Sequence, residues 1–145
     1  RGARTVAGTI VLARRGQGRN EIRQWVETEC GYSLDKCCDQ IRPDYSFDVS
    51  CQGTVPQAVT AFLEGDSFEE CVRLAVSLGG DSDTLTCITA SIAEAFFGSV
   101  PESIASKAWG FLDAPLQQVV RTFFAETGRT LPVESTRSSG SQQGY

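Results

Sequence analysis

Apolar positions along this chain recur every three to four residues, and Gly or Pro punctuates them, so the pattern predicts helices joined by short loops. Val6, Ile10, Val11 and Ala13 make a first stripe that stops at Gly16-Gln17-Gly18. Asn20 is placed to cap a second helix, in which Ile22, Trp25 and Val26 lead to a glycine stop at Gly31. Ser33 is expected to open a short cysteine-bearing helix ending before Pro43, since the residue before a proline avoids the helical region. Residues 42–53 form the one long irregular stretch.

Thr54 and Gln57 have capping-box spacing for a helix over Val55–Leu63, with Pro56 in its first turn. Ser67 and Glu70 repeat that spacing for Phe68–Leu78, whose apolar face carries Phe68, Cys71, Val72, Ala75 and Leu78. Leu85, Ile88, Ile92 and Phe96 line another helix closed by Gly98, and Pro101 and Pro115 start two more, to about Leu112 and Thr127. Trp25 and Trp109 read as core or half-buried anchors. From Gly128 the Ser-, Gly- and Gln-rich tail is expected to be disordered. Tyr45–Val49 alternates too briefly for a strand. The fold class is all-α.

Between the helices ending at Leu78 and starting at Leu85 stands Gly79-Gly80-Asp81-Ser82-Asp83-Thr84. Glycines allow a sharp turn and close backbone approach. Two carboxylates and a hydroxyl then follow at a helix start, oxygen donors suited to a hard cation, beside a helix N-terminus suited to phosphate. Ordinary helix capping explains one such side chain, and here three cluster. A calcium EF-hand loop is excluded, because Thr86 stands at its turn glycine and Ile92 at its terminal glutamate.

Composition narrows the chemistry. The 145 residues are 41% apolar and 21% charged, enough for one packed domain. A net charge of −5 disfavours a nucleic-acid partner, and Arg14-Arg15 with Arg19 reads as a solvated helix end. No apolar run is long enough for a membrane span. With no histidine, Ser-His and Cys-His machinery and imidazole metal ligands are ruled out. The six cysteines include no Cys-x-x-Cys, and Cys71 and Cys87 fall in helical patterns as small buried hydrophobes. Reduced thiols in a cytoplasmic protein are expected.

Three segments together resemble the ADP-ribosylglycohydrolase family. They are Ser46-Phe47-Asp48-Val49-Ser50-Cys51-Gln52-Gly53-Thr54-Val55-Pro56-Gln57-Ala58, Ala75 to Thr84 with its Gly-Gly-Asp-Ser-Asp-Thr, and Ser91-Ile92-Ala93-Glu94-Ala95-Phe96-Phe97-Gly98. The resemblance implies a compact all-α protein that uses paired Mg²⁺ to hydrolyse a glycosidic bond at C1″ of ADP-ribose. It assigns Asp81, Asp83 and Thr84 as metal ligands. Tyr45, Phe47, Cys51, Gln52, Gly53, Gly79, Gly80 and Ser82 become candidate substrate contacts; alternatively, Phe47 and Val49 plug the core while Tyr45 covers it. Nothing near Cys51 would make it a nucleophile.

The family's N-terminal Thr/Ser-Asp-Asp-Thr-type motif and its water-side glutamate do not occur here, and Asp66 and Asp113 are isolated. The chain starts at Arg1 and lacks methionine. The expectation is therefore a C-terminal half over residues 1–127, holding half a metal site and needing the N-terminal half as partner. The other reading is a non-catalytic helical binding or assembly module.

Overall fold

The computed structural model describes residues 1–133, and every regular element among them is helical. The chain divides into two compact units, Arg1–Gly98 and the residues from Ser99 onward.

In the first unit, α1 spans Gly2–Arg14 and α2 Arg19–Cys30. The buried stripe of α1 is Gly2, Thr5, Thr9 and Ala13, while Val11 is exposed and Val6 and Ile10 are half-buried. This corrects the Val/Ile stripe expected from hydrophobicity. Small side chains let a helix approach its neighbours closely; a methyl group on Gly8 would collide with the half-buried Trp25 ring of α2. Gly18, not Asn20, is the N-cap of α2, and Gly31 ends it in the left-handed conformation as expected.

The short α3 is Cys38–Ile41, later than expected, because the Ser33 hydroxyl donates to Asp35 in the preceding loop and the cap falls to Cys37. Helix α4, Cys51–Glu64, begins earlier than Thr54. Ser50 caps it by accepting the Gly53 N–H at 3.1 Å, whereas the buried Thr54 hydroxyl donates to the Asp48 carbonyl at 3.0 Å. Pro56 thus lies inside the helix rather than in its first turn.

Helix α5, Phe68–Leu78, starts where its capping residues put it: Ser67 accepts the Glu70 N–H, and Glu70 accepts the Asp66 N–H. Helix α6 is Ser82–Phe97 with Gly98 after it at φ +87. Its Leu85 and Ile92 are fully buried, and Phe96 packs edge-on against Phe62 at 5.3 Å. The buried Thr89 hydroxyl joins α6 to α4, lying 3.0 Å from both the Ala58 and Leu85 carbonyls. Cys71 is buried as expected, but Cys87 falls on the exposed side of α6. Arg19 is no solvated end: its guanidinium lies over Phe96 and donates to the Gly65 carbonyl, tying down the α4–α5 turn.

One core cluster contains Cys38, Ile41, Ala58, Ala61, Ala75, Leu78 and Leu85, with Tyr45, Leu74 and Ile88 packed against it. Leu78 and Leu85 flank the acidic motif, so the turn between them is anchored at both ends.

In the second unit, α7 is Glu102–Phe111 and α8 Ala114–Glu126. Gln117 donates to the Trp109 and Leu112 carbonyls and closes the turn between them; Trp109 is half-buried under the Arg121 guanidinium. Of the tail expected to be disordered, Gly128–Val133 are described, with Leu131 buried, and 134–145 lie outside the described residues.

Candidate metal centre at the start of helix α6

Gly79 sits at φ +78, ψ −146, a region open essentially only to glycine, and Gly80 at φ +62. These two turns deliver Asp81 to the N-cap of α6 at φ −81, ψ +63, away from the extended backbone an N-cap normally adopts. The Asp81 side chain accepts no capping hydrogen bond. It lies near Asp83 instead: a protonated Asp81 would donate to the Asp83 carboxylate, and that interaction, then the Thr84 N–H at 3.0 Å, hold the Asp83 carboxyl below the usual carboxylate range. Asp83 and Thr84 are exposed, Asp81 and Ser82 half-buried.

Two carboxylates within hydrogen-bond reach repel once both ionise, and a cation between them removes that cost. The donor set of Asp81, Asp83 and Thr84, all oxygen and all on one turn, fits a hard cation such as Mg²⁺. It is a partial shell. Among the described residues no group of three or more His, Cys, Asp or Glu converges on one point.

Against this turn lies the segment Tyr45–Ser50. A Cβ on Gly80 would come 2.7 Å from the Tyr45 ring and 2.8 Å from the Ser46 carbonyl. Tyr45 Oη is shielded from solvent and meets no hydrogen-bond partner in bonding geometry among the described residues, with the Thr54 hydroxyl, which donates to the Asp48 carbonyl, nearby. Burial, with the Asp48 and Asp81 charges, pushes the Tyr45 phenol up, against an opposing pull from Thr54. At the other end, the Asp48 carboxylate accepts the Ser50 N–H at 2.7 Å and fills the space where Gly53 would carry a side chain. The Ser50 N–H and hydroxyl hold the Asp48 carboxyl below its ordinary range.

Tyr45 and Gly80 are therefore brought together with the acidic turn. Phe47 and Val49 are 70% and 77% exposed, which overturns the reading that they plug the core. Cys51 lies in the first turn of α4 beside Gly2, and its carbonyl accepts the Tyr32 hydroxyl at 3.4 Å. Gln52 shares with Tyr45 a groove of about 500 Å³, further lined by Tyr32, Lys36, Asp44 and Gln57; none of the acidic-motif residues lines it. Tyr45 is the wall between groove and acidic turn. Sequence reasoning missed Asp48, although Asp48-x-Ser50 has the spacing of an Asx turn.

Over residues 3–130 the sequence matches the family described as ADP-ribosylglycohydrolase. The chain belongs to the ADP-ribosylglycohydrolase family. No curated protein and no solved structure matches it. Membership suggests a glycohydrolase-like enzyme, and the described residues, helical in every regular element, are consistent with the all-α fold of that family. Among the described residues no helix is long and apolar enough to cross a membrane.

Proposed function

We infer that the chain serves Mg²⁺-dependent hydrolysis of the glycosidic bond at C1″ of ADP-ribose, in an ADP-ribosylated protein or a small ADP-ribose conjugate. One observation carries the reading: Asp81 occupies an N-cap without capping, and its carboxyl faces that of Asp83. Asp81, Asp83 and Thr84 would hold a cation of a two-ion site. When bound, Mg²⁺ supplies charge that orients ribose hydroxyls and activates water. The chain's own residues do the rest of the binding. Gly79, Gly80 and Ser82 leave backbone open at the α6 N-terminus for an anionic group, and exposed Phe47 offers a ring face to a base. Tyr45 stands beside that path; Gln52 lines the groove on the other side of Tyr45, and Cys51 and Gly53 lie in the first turn of α4.

Three side-chain donors leave a six-coordinate cation short. The remaining protein ligands we assign to an N-terminal half of the domain, so this chain supplies half of the metal site and binds Mg²⁺ weakly by itself, on the order of millimolar. Its three exposed thiols suit the reducing cytoplasm, where we place it, and its net acidity fits no direct nucleic-acid partner. The incomplete ligand set is also what a non-catalytic binding module derived from the family would show.

The test is ADP-ribose release, by chromatography, from arginine- or serine-linked peptides and from O-acetyl-ADP-ribose. The chain alone should release none. Mixed with an N-terminal half bearing the Thr/Ser-Asp-Asp-Thr motif it should turn over, and Asp81→Ala should cut that about 10²–10³-fold. A mixture that works equally well with Asp81→Ala refutes the ligand assignment; a mixture that never turns over favours the module.

A further inference from the structure

The segment Tyr45–Ser50 is fastened at two places, each through a glycine. At one end the Tyr45 ring and Ser46 carbonyl occupy the side-chain space of Gly80. At the other the Asp48 carboxylate occupies that of Gly53 in the first turn of α4, and is held there by the Ser50 N–H. The Thr54 hydroxyl adds a third tie, to the Asp48 carbonyl. Tyr45 also packs on the core cluster that includes Leu78 and Leu85, the residues on either side of the acidic turn. The segment thus spans from the N-terminus of α4 to that of α6.

The geometry points to Tyr45–Asp48 as a bracket that sets where Asp81 and Asp83 stand, with Tyr45 as its principal positioning residue and Asp48 as its anchor on α4. This rests on the metal reading above. No group in the bracket needs to touch the cation. The ring of Tyr45 backs the glycine turn at Gly80, and without it the Gly79-Gly80 pair regains its backbone freedom. Asp81 would then follow, because its carbonyl accepts the Leu85 N–H at 3.0 Å and moves with the turn.

Two measurements test this on the full chain: hydrogen exchange of the Leu85 amide, which reports the placement of Asp81, and Mn²⁺ binding by electron paramagnetic resonance. Tyr45→Ala should speed Leu85 exchange about tenfold while leaving the Ile92 amide alone. It should weaken Mn²⁺ binding about tenfold, the scale of a lost outer contact to a metal ligand. Tyr45→Phe keeps the ring and should restore both to within about twofold, and Val49→Ala, exposed on the same segment, should change neither. Asp48→Ala should move both in the same direction by about threefold.

If Tyr45→Ala does not fold, Tyr45→Leu, which keeps apolar volume but not the flat ring against Gly80, replaces it. Unchanged Leu85 exchange overturns the bracket. Faster exchange with unchanged Mn²⁺ affinity overturns its role in positioning the ligands. A parent chain that binds no Mn²⁺ at all defeats the metal reading instead, and Leu85 exchange still decides whether the bracket exists.

Discussion

Helices α6 and α8 both begin after an aspartate at the N-cap, and the two aspartates do different things. Asp113 sits in extended backbone, at ψ +167, and its Oδ1 accepts the Leu116 N–H at 2.9 Å. Asp81, at ψ +63 after two left-handed glycines, gives its side chain to no backbone donor of α6. One carboxylate is consumed by its own helix; the other is withheld and turned to a second carboxylate. Residue type is the same in both places, and the backbone leading in decides whether the group is spent on folding or kept for a ligand.

The largest effect should come from removing the two groups in turn. In the reconstituted enzyme Asp81→Ala should cut turnover about 10²–10³-fold, a loss on the scale of removing one preorganised electrostatic group, with stability within about 0.5 kcal/mol of the parent. Asp113→Ala should do the reverse, costing about 1 kcal/mol in urea unfolding with turnover unchanged. Equal stability losses would erase the contrast.

Next come the glycines at the two ends of α6. Gly80→Ala meets left-handed strain and the Tyr45 ring together, whereas Gly98→Ala meets strain in open space. The second should cost about 1–2 kcal/mol. The first should cost more and weaken Mn²⁺ binding as well, as calorimetric titration would show.

A smaller effect is the pH response. Because the Asp83 carboxyl is held below the ordinary range, it stays ionised to lower pH than a free aspartate. Its favourable contribution is present above the ordinary pKa and lost as pH falls through the depressed one. The share of Mn²⁺ binding that Asp83 supplies should therefore be lost only below the ordinary aspartate range. A midpoint near neutrality would show that some other group governs the site. Smallest is Asp113→Asn, which keeps the cap and should shift stability by only a few tenths of a kcal/mol. Asp81→Asn, by contrast, keeps any cap but loses the charge and should still lose Mn²⁺ affinity.

Helix existence was legible wherever apolar spacing and capping agreed, as at Ser67–Glu70 and the Leu85–Ile92 stripe. It misled where a local side-chain bond intervened. Thr54 has capping-box spacing, yet its hydroxyl is drawn to the Asp48 carbonyl, and Ser50 starts the helix. The buried face of α1 was illegible from hydrophobicity, because closeness to neighbouring helices selects Gly, Thr and Ala over Val and Ile. At the site, the Gly-Gly-Asp-Ser-Asp-Thr run could be read directly as oxygen donors after a sharp turn. Asp48 and the packing of Tyr45 on Gly80 could not, since each depends on a contact between residues distant in sequence.

The shared hydroxyl of Thr89 has a mechanical consequence. Small fully buried residues such as Ala58 and Ala61 of α4 and Ala93 of α6 do little by themselves to fix one helix along the other. A slip of one helical turn, about 5.4 Å, would strip Thr89 Oγ1 from the Ala58 carbonyl and part the edge-on Phe62 and Phe96 rings. The bond and the ring contact together make the sliding coordinate a notch instead of a track, and fix the axial offset between the two helix starts that hold the ends of the Tyr45–Ser50 segment.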